Sequence, residues 1–397
     1  MVYKESWGDA QMVWIVFILA LITAYLYGLL WVGTRRDDLE TPPYDPYHRF
    51  LIIIPAHNEE WVIAGTVTQA RALTYPVAKF SVHVVADHCS DATVERAREA
   101  GAIVFDRKTG AGGTKAKALS AWFERVRSET FDAVVILDAD AQVQSGFLRW
   151  MDAALTRGES IVQGQQIISN PEKGWYPALT AAMYRVENAI HNSGVSALGG
   201  SARHMGDAIA IRKGIIEELG FGDSLTEDHA LRQKIILSGR RIAYEHRSRA
   251  LNEAAQTWTD AKIQRARWMQ GTQKEDHRNR RALFRTLFRD PTAPVLFAVV
   301  ESVLPSFSLL TILAAVLPLL CLWLDRNFLG SAEVVFLAVF ALPFVGLVLT
   351  EAPAALFRAL LAAPIFIVWR ATAAVRYSLF PANAGWKRTP HGERSDG

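Results

Sequence analysis

Residues Met12 to Val32 form one unbroken run without a charged side chain. Lipid offers the backbone no hydrogen-bond partner, so such a run must satisfy itself as a helix, and roughly 20 apolar residues cross the hydrocarbon layer. The run is therefore expected to be a transmembrane helix. A signal peptide would carry its basic residues before the apolar stretch, whereas Arg35 and Arg36 follow it. Trp14 and Trp31 stand near its ends, where interfacial aromatics belong. The positive-inside rule then places residue 35 onward in the cytoplasm. Whatever follows must fold beside a membrane.

The apolar character returns only near the other end. Between Asn279 and Arg289, Leu283, Phe284, Leu287 and Phe288 share one helical face and arginines another, which predicts an interfacial amphipathic helix. Val295 to Leu324 predicts a spanning helix preceded by a broken segment. It contains Glu301, a charge that must face protein or solvent. Val334 to Leu349 predicts the next span. Ala352 to Phe380 is apolar but carries Arg358, Arg370 and Arg376, and is expected to be interfacial or re-entrant. Three spans result. The expected division is 1–47, an N-terminal helix and linker; 48–275, a cytoplasmic domain; 276–292, the amphipathic helix; 293–380, a membrane region; and 381–397, a cytoplasmic tail.

The middle has a different grammar. Phe50–Pro55, Ser81–Ala86, Ala102–Phe105 and Ala133–Leu137 are short apolar runs separated by helical patterns. That alternation predicts an α/β domain with a doubly wound sheet, in which ligands bind at the carboxyl ends of strands. Three strand ends carry polar or acidic groups: Asn58 and Glu59, then Asp87, then Asp138 and Asp140. Two carboxylates two residues apart can hold Mg²⁺ or Mn²⁺ with positions left open for phosphate and water. Lys115 follows a glycine-rich loop at a helix start, where a phosphate would sit; an ordinary mobile loop is the bland alternative. Further strands are expected at Ala208–Ile211 and Arg241–Glu245.

Between those two strands, Thr226 reads as an N-cap, Glu227 and Asp228 fall in the first helical turn, and Gly239 ends the helix. Acids in a first turn are also what the helix dipole favours. A helix expected over 259–271 places Gln264, Arg267 and Trp268 on one face. The formal charge of +3 is too small to imply a nucleic-acid partner, and none is expected; Cys89 and Cys321 lie far apart and outside any metal-type spacing.

Taken in order, Pro55-Ala-His-Asn-Glu59, Asp87, Asp138-Ala-Asp140, Thr226-Glu-Asp228 and Gln264-x-x-Arg-Trp268 resemble the membrane-bound branch of glycosyltransferase family 2, which includes cellulose, chitin, hyaluronan and poly-N-acetylglucosamine synthases. The resemblance covers roughly residues 48 to 275. It implies a GT-A type nucleotide-sugar-binding domain inserted between transmembrane helices, and an inverting transfer from a UDP-sugar. Glu59, Asp87, Lys115, Asp138, Gln264 and Arg267 would then bind the donor, with Asp140 and Asp138 on Mg²⁺ or Mn²⁺. Asp228 would be the base, beside Glu227. Trp268, Gly206 and Asp207 would meet the acceptor. Trp386 to Gly392 is similar to a gating loop, which would bring Thr389 over the nucleotide. The resemblance implies first a growing glycan as acceptor, built into a beta-linked polysaccharide or oligosaccharide, and as the alternative a single transfer to a lipid or lipid-linked molecule; a homo-oligomer or export partner would be needed if a polymer is secreted. A catalytically silent scaffold is the third reading. The family implies a bacterial-type inner or plasma membrane.

Overall fold

The computed structural model describes residues 6–35, 42, 44–109, 114–222, 227–324 and 326–379. The N-terminal apolar run lies within α1 (Ser6–Thr34). The domain that follows starts with β1 (Phe50–Ala56), α2 (Ile63–Arg71), β2 (Phe80–Asp87), α3 (Thr93–Glu99), β3 (Ile103–Arg107) and α4 (Lys115–Val126). It continues through β4 (Ala133–Ile136), β5 (Gln142–Val143), α5 (Phe147–Thr156) and β6 (Ile161–Ile168). Then come α6 (Trp175–Glu187), a π-helical stretch over Asn188–Gly194, α7 (Val195–Ala197), β7 (Ile209–Arg212) and α8 (Lys213–Leu219). The domain closes with α9 (Glu227–Leu237), β8 (Ala243–Asn252) and α10 (Trp258–Arg289).

Among the described residues, eight strands form one sheet in the order β3-β2-β1-β4-β7-β6-β8-β5. The strands from β1 to β4 are parallel, as the alternating pattern requires, and β7 runs antiparallel to β4. β6 is antiparallel to β7 and parallel to β8. The sheet is thus mixed beyond β4, and β5 and β6 are strands that the sequence reading did not include.

Residues of β1 are apolar throughout because both faces are covered. Ile52 and Ile54 pack into the core on one side, and Leu51 and Ile53 into the core on the other. Ile52, Ile53 and Ile54 are each fully buried. Each such side chain contributes roughly 1.5–3 kcal/mol. The start of the domain is pinned by a buried carboxylate. Asp152 of α5 accepts from the backbone amides of Tyr47 and His48 at 3.0 and 2.9 Å, and lies 2.6 Å from His48 Nδ1.

α10 differs from the expectation of two helices. It is one helix of 32 residues, so the stretch read as a separate amphipathic element is its second half. Gly271 alone does not break it. Beyond it lie α11 (Ala293–Val303), α12 (Phe307–Leu324), α13 (Leu329–Leu349), α14 (Ala354–Ala359) and α15 (Ala363–Leu379). Among the described residues, four helices are long and apolar enough to cross a membrane: 11–34, 307–324, 326–349 and 354–373. The last is interrupted by a 3₁₀ turn at Leu360–Ala362 and carries the arginines that set it apart in the sequence.

α1 does not stand apart from the domain. A methyl group placed on Gly33 would overlap the Ala189 carbonyl oxygen, and one on Gly194 would overlap the Leu29 carbonyl oxygen. The end of α1 therefore lies backbone against backbone on the π-helical stretch. A shared apolar cluster of α1, that stretch, α12 and α13 extends the contact.

Candidate active site

Parallel pairing puts the ends of β1, β2 and β4 on one sheet edge. Antiparallel pairing brings the start of β7 to that edge, and the ends of β6 and β8 join it. A cavity of about 820 Å³ opens there. Glu59, Lys115, Asp138, Asp140, Gly206 and Asp228 line it together. Glu227, Gln264 and Trp268 line it too.

Each of these groups is held locally. Asp138 and Asp140 lie just past β4, in a turn where the Ala141 amide donates to the Asp138 carbonyl at 3.1 Å. The Thr66 hydroxyl of α2 donates to the Ala139 carbonyl at 2.6 Å and fixes that turn. Thr114 caps α4 by accepting from the Lys117 amide at 3.3 Å, which leaves Lys115 at the helix start. The Lys115 ammonium pairs with Asp138 and donates to the Gly206 carbonyl at 2.8 Å. Burial works against that ammonium, but Asp138 and Glu227 outweigh it and hold its pKa above the ordinary value.

Gly206 has φ +91°, and a side chain there would begin 3.7 Å from Asp228 Oδ2. A glycine thus lets backbone approach the carboxylate in a conformation other residues resist. Asp228 Oδ1 accepts from the His229 amide at 2.8 Å. Burial pushes the Asp228 carboxyl above its usual range, against the opposing pull of that amide and of Lys115. Burial also pushes Glu227 up to about 7, with Lys115 opposing and Asp228 adding to the rise. His204 is driven down to about 3, mainly by burial, so its Nδ1 is free to accept from the Gly206 amide at 3.1 Å.

Other residues singled out in the sequence fall elsewhere. Asp207 is fully buried behind the cavity wall. It accepts from Asn252 Nδ2 at 2.8 Å and from Gln166 Nε2, and burial followed by Asp138 raises its pKa well above the ordinary value. Asp87 pairs with Arg107 and lies 2.8 Å from His88 Nδ1; it is not among the residues lining the cavity. The Arg267 side chain lies outside the described residues, as do Thr226, Thr389 and the glycines of the loop before Thr114.

A second wall was not foreseen. Arg203 donates to Glu187 and Glu301, both at 2.8 Å, and Arg232 of α9 donates to Glu301 at 2.8 Å. Glu301 of α11 thereby faces protein, as its charge requires, and ties the membrane region to the helix that carries Asp228. Burial alone would raise the Glu187 pKa, but the Arg203 guanidinium reverses the effect and holds it low. Arg265 and Arg370 complete this wall. Glu301 and Arg370 stood out in the sequence as charges within apolar stretches, but the partners of Glu301 were not legible.

The family model described as Glycosyltransferase like family 2 matches residues 48–271. A probable glycosyltransferase, YdaM, of Bacillus subtilis is 28% identical over 56% of this chain and 54% of its own length. Beta-monoglucosyldiacylglycerol synthase of Trichormus variabilis is 26% identical over 67% of this chain and 57% of its own length. Poly-beta-1,6-N-acetyl-D-glucosamine synthase of Staphylococcus aureus is 24% identical over 60% of this chain and 57% of its own length. The chain thus spans about half the length of the curated relatives it matches. Among solved structures, the mannosyltransferase PcManGT of Pyrobaculum calidifontis, in complex with GDP-Man and Mn²⁺, covers 94% of this chain and 100% of its own, with TM-score 0.56 and 20% identity. That likeness shows the GT-A fold. With more than half of its residues matched by the family model, the chain belongs to Glycosyltransferase like family 2.

Proposed function

We propose that this protein is a membrane-embedded inverting transferase that moves a sugar from a uridine nucleotide onto an acceptor hydroxyl. The observation that carries the reading is the convergence of Asp228, Lys115 and the Asp138/Asp140 pair on one cavity. A sugar hydroxyl is a weak nucleophile, so a carboxylate must take its proton as it attacks the anomeric carbon. Asp228, which lines the cavity, would take it, and its raised pKa would make it a stronger base than an exposed aspartate. The anomeric carbon–oxygen bond to the diphosphate breaks on the opposite side. Lys115 and, by family resemblance, Arg267 and Gln264 would offset the charge gathered on the leaving group.

Among the described residues no three His, Cys, Asp or Glu side chains gather as a closed metal cage. Two carboxylates with open positions fit a hard cation that takes its other ligands from diphosphate and water. Asp138 and Asp140 would hold it, and Mg²⁺ or Mn²⁺ there would supply further charge stabilisation to the leaving group.

The cavity continues past Asp228 to side chains of the membrane helices, including Ile22, Phe297 and Leu342. This favours an acceptor that arrives from the bilayer. The relatives are named for both kinds of product, a glucosylated diacylglycerol and a polymer of N-acetylglucosamine. Polymer synthesis therefore remains the second reading, since a growing glycan could occupy the same space.

The test is a donor screen. Full-length protein in lipid is supplied with Mg²⁺ or Mn²⁺ and, in turn, labelled UDP-glucose, UDP-N-acetylglucosamine, UDP-galactose and GDP-mannose. Label in the organic phase supports transfer to a lipid; label in a water-phase polymer supports the second reading. EDTA is expected to stop turnover and either cation to restore it. No transfer from any donor would sink the enzyme reading.

A further inference from the structure

The cavity changes character along its length. At the sheet edge its walls are acidic, with Glu59, Asp138, Asp140, Glu227 and Asp228. At the far end they are apolar, with Ile22 and Leu26 of α1, Phe297 of α11, Phe307 of α12 and Leu342 of α13. The same lining holds four arginines, Arg203, Arg232, Arg265 and Arg370, against two glutamates, Glu187 and Glu301; Arg232 shares α9 with Asp228, and Glu301 shares α11 with Phe297. His191 lies with them and is driven down to about 4, chiefly by burial with Arg203 adding to it, so it brings no charge at neutral pH.

The pairing among these charges is uneven. Glu301 serves Arg203 and Arg232, and Glu187 serves Arg203. Arg265 donates to the Tyr176 hydroxyl at 3.1 Å and lies against the rings of Trp268 and Phe366. Arg370, on α15, makes no hydrogen bond or ion pair among the described residues. Glu187 is the one acid that acts on both of them, and it is already bonded to Arg203. Two guanidinium groups thus face the cavity with no carboxylate of their own among the described residues. A cation in such a place is costly unless an anion joins it. The guanidinium fork matches phosphate oxygens in geometry and charge.

We infer that Arg265 and Arg370 form a subsite for a phosphate group on an amphiphilic acceptor. The acceptor's tail lies among Ile22, Phe297, Phe307 and Leu342, its phosphate at the arginines and its hydroxyl at Asp228. The placing of the hydroxyl rests on the transferase reading above; the phosphate and tail subsites do not. A neutral diacylglycerol or a bare glycan would fill the same cavity and leave both guanidinium groups unmatched. In the transferase reading the donor's diphosphate is taken by Lys115, the Asp138/Asp140 pair and Gln264 and Arg267 of α10; Arg265 shares that helix, whereas Arg370 stands on the last apolar helix, so competition with UDP is the arm that separates the two ligands.

The experiment is binding to the full chain in detergent micelles, read by thermal shift, with four probes: farnesyl phosphate, farnesol, inorganic phosphate and UDP. Farnesyl phosphate is expected to bind at least about tenfold more tightly than farnesol or inorganic phosphate, the scale of one or two charge-assisted hydrogen bonds. Arg370→Gln should remove about that factor, and Arg370→Lys should retain part of it. UDP should bind Arg370→Gln as it binds the unaltered protein, which also reports that the variant is folded, and it should not displace farnesyl phosphate. Equal binding of farnesyl phosphate by Arg370→Gln would overturn the subsite. So would displacement by UDP, which would return the arginines to the donor, or equally tight binding of inorganic phosphate, which would make the ligand a soluble anion. Farnesyl phosphate binding through Arg370 without transfer from any donor would keep the subsite and remove the transferase reading. Transfer to a lipid with binding indifferent to Arg370 would do the reverse.

Discussion

Asp228 occupies a first helical turn, where the helix dipole ordinarily lowers a carboxyl pKa. Here burial outweighs that effect and raises the pKa of the Asp228 carboxyl, beside a second acid, Glu227. Asp228→Asn is expected to lower turnover by about 10²–10⁴-fold, the usual contribution of a positioned base, while UDP affinity stays within about twofold. Loss of UDP binding in parallel would show that the carboxylate holds the donor instead. Glu227 makes a stability prediction. Its native pKa of about 7 stands above the ordinary value of 4.5. The native state therefore binds more protons between those values, and stability falls as pH rises from 4.5 to 7. Glu227→Gln should be more stable than the unaltered protein at pH 8 by about 1–3 kcal/mol, with the gap closing toward pH 4.5. Melting curves with the same gap at both pH values would refute the assignment. Most of these acids were legible because carboxylates just past apolar strands or in a first helical turn stand out from their surroundings. Arg265 and Arg370 were not, since an arginine near a membrane is ordinarily an interfacial anchor.

β6 shows why an element can escape a sequence. Gln163, Gln165 and Gln166 interrupt its apolar pattern, yet all three are buried. Gln163 Nε2 donates to the Asp207 carbonyl at 2.8 Å and its Oε1 accepts from the Met205 amide at 3.1 Å. Those partners come from a loop some forty residues away, so the burial cannot be read locally. The π-helical stretch escaped for the same reason: Asn188 and Asn192 look like loop residues, but Asn188 donates to the Gln166 carbonyl at 3.0 Å and Asn192 to Asn188 at 2.9 Å. Against that stretch, α1 packs without room for a side chain at Gly194. Gly194→Ala should destabilise the protein by about 1–3 kcal/mol through overpacking, seen as a lower melting temperature in detergent. An unchanged melting temperature would mean that the two backbones are not in contact. β1 was legible because both of its faces are buried in apolar cores, which demands an unbroken apolar run.

At the scale of the whole molecule, the sheet edge that carries Asp138 and Asp140 and the apolar helices line one cavity. If Arg35 marks the cytoplasmic end of α1, the domain after it shares that side. Trypsin should then cut the domain in inside-out vesicles and spare it in right-side-out ones; the opposite pattern would reverse the orientation. The sequence by itself determined the apolar segments, the alternating α/β middle and the acids at the strand ends, because hydrophobic periodicity and turn chemistry act over a few residues. Only the tertiary structure decided that β4 is followed by antiparallel and then parallel neighbours, that Gln163 and Asn188 lie inside, and that Glu301 meets Arg203 and Arg232. Those choices depend on hydrogen-bond and charge partners far apart in the chain. A buried polar group is tolerable only where folding has already brought its partner.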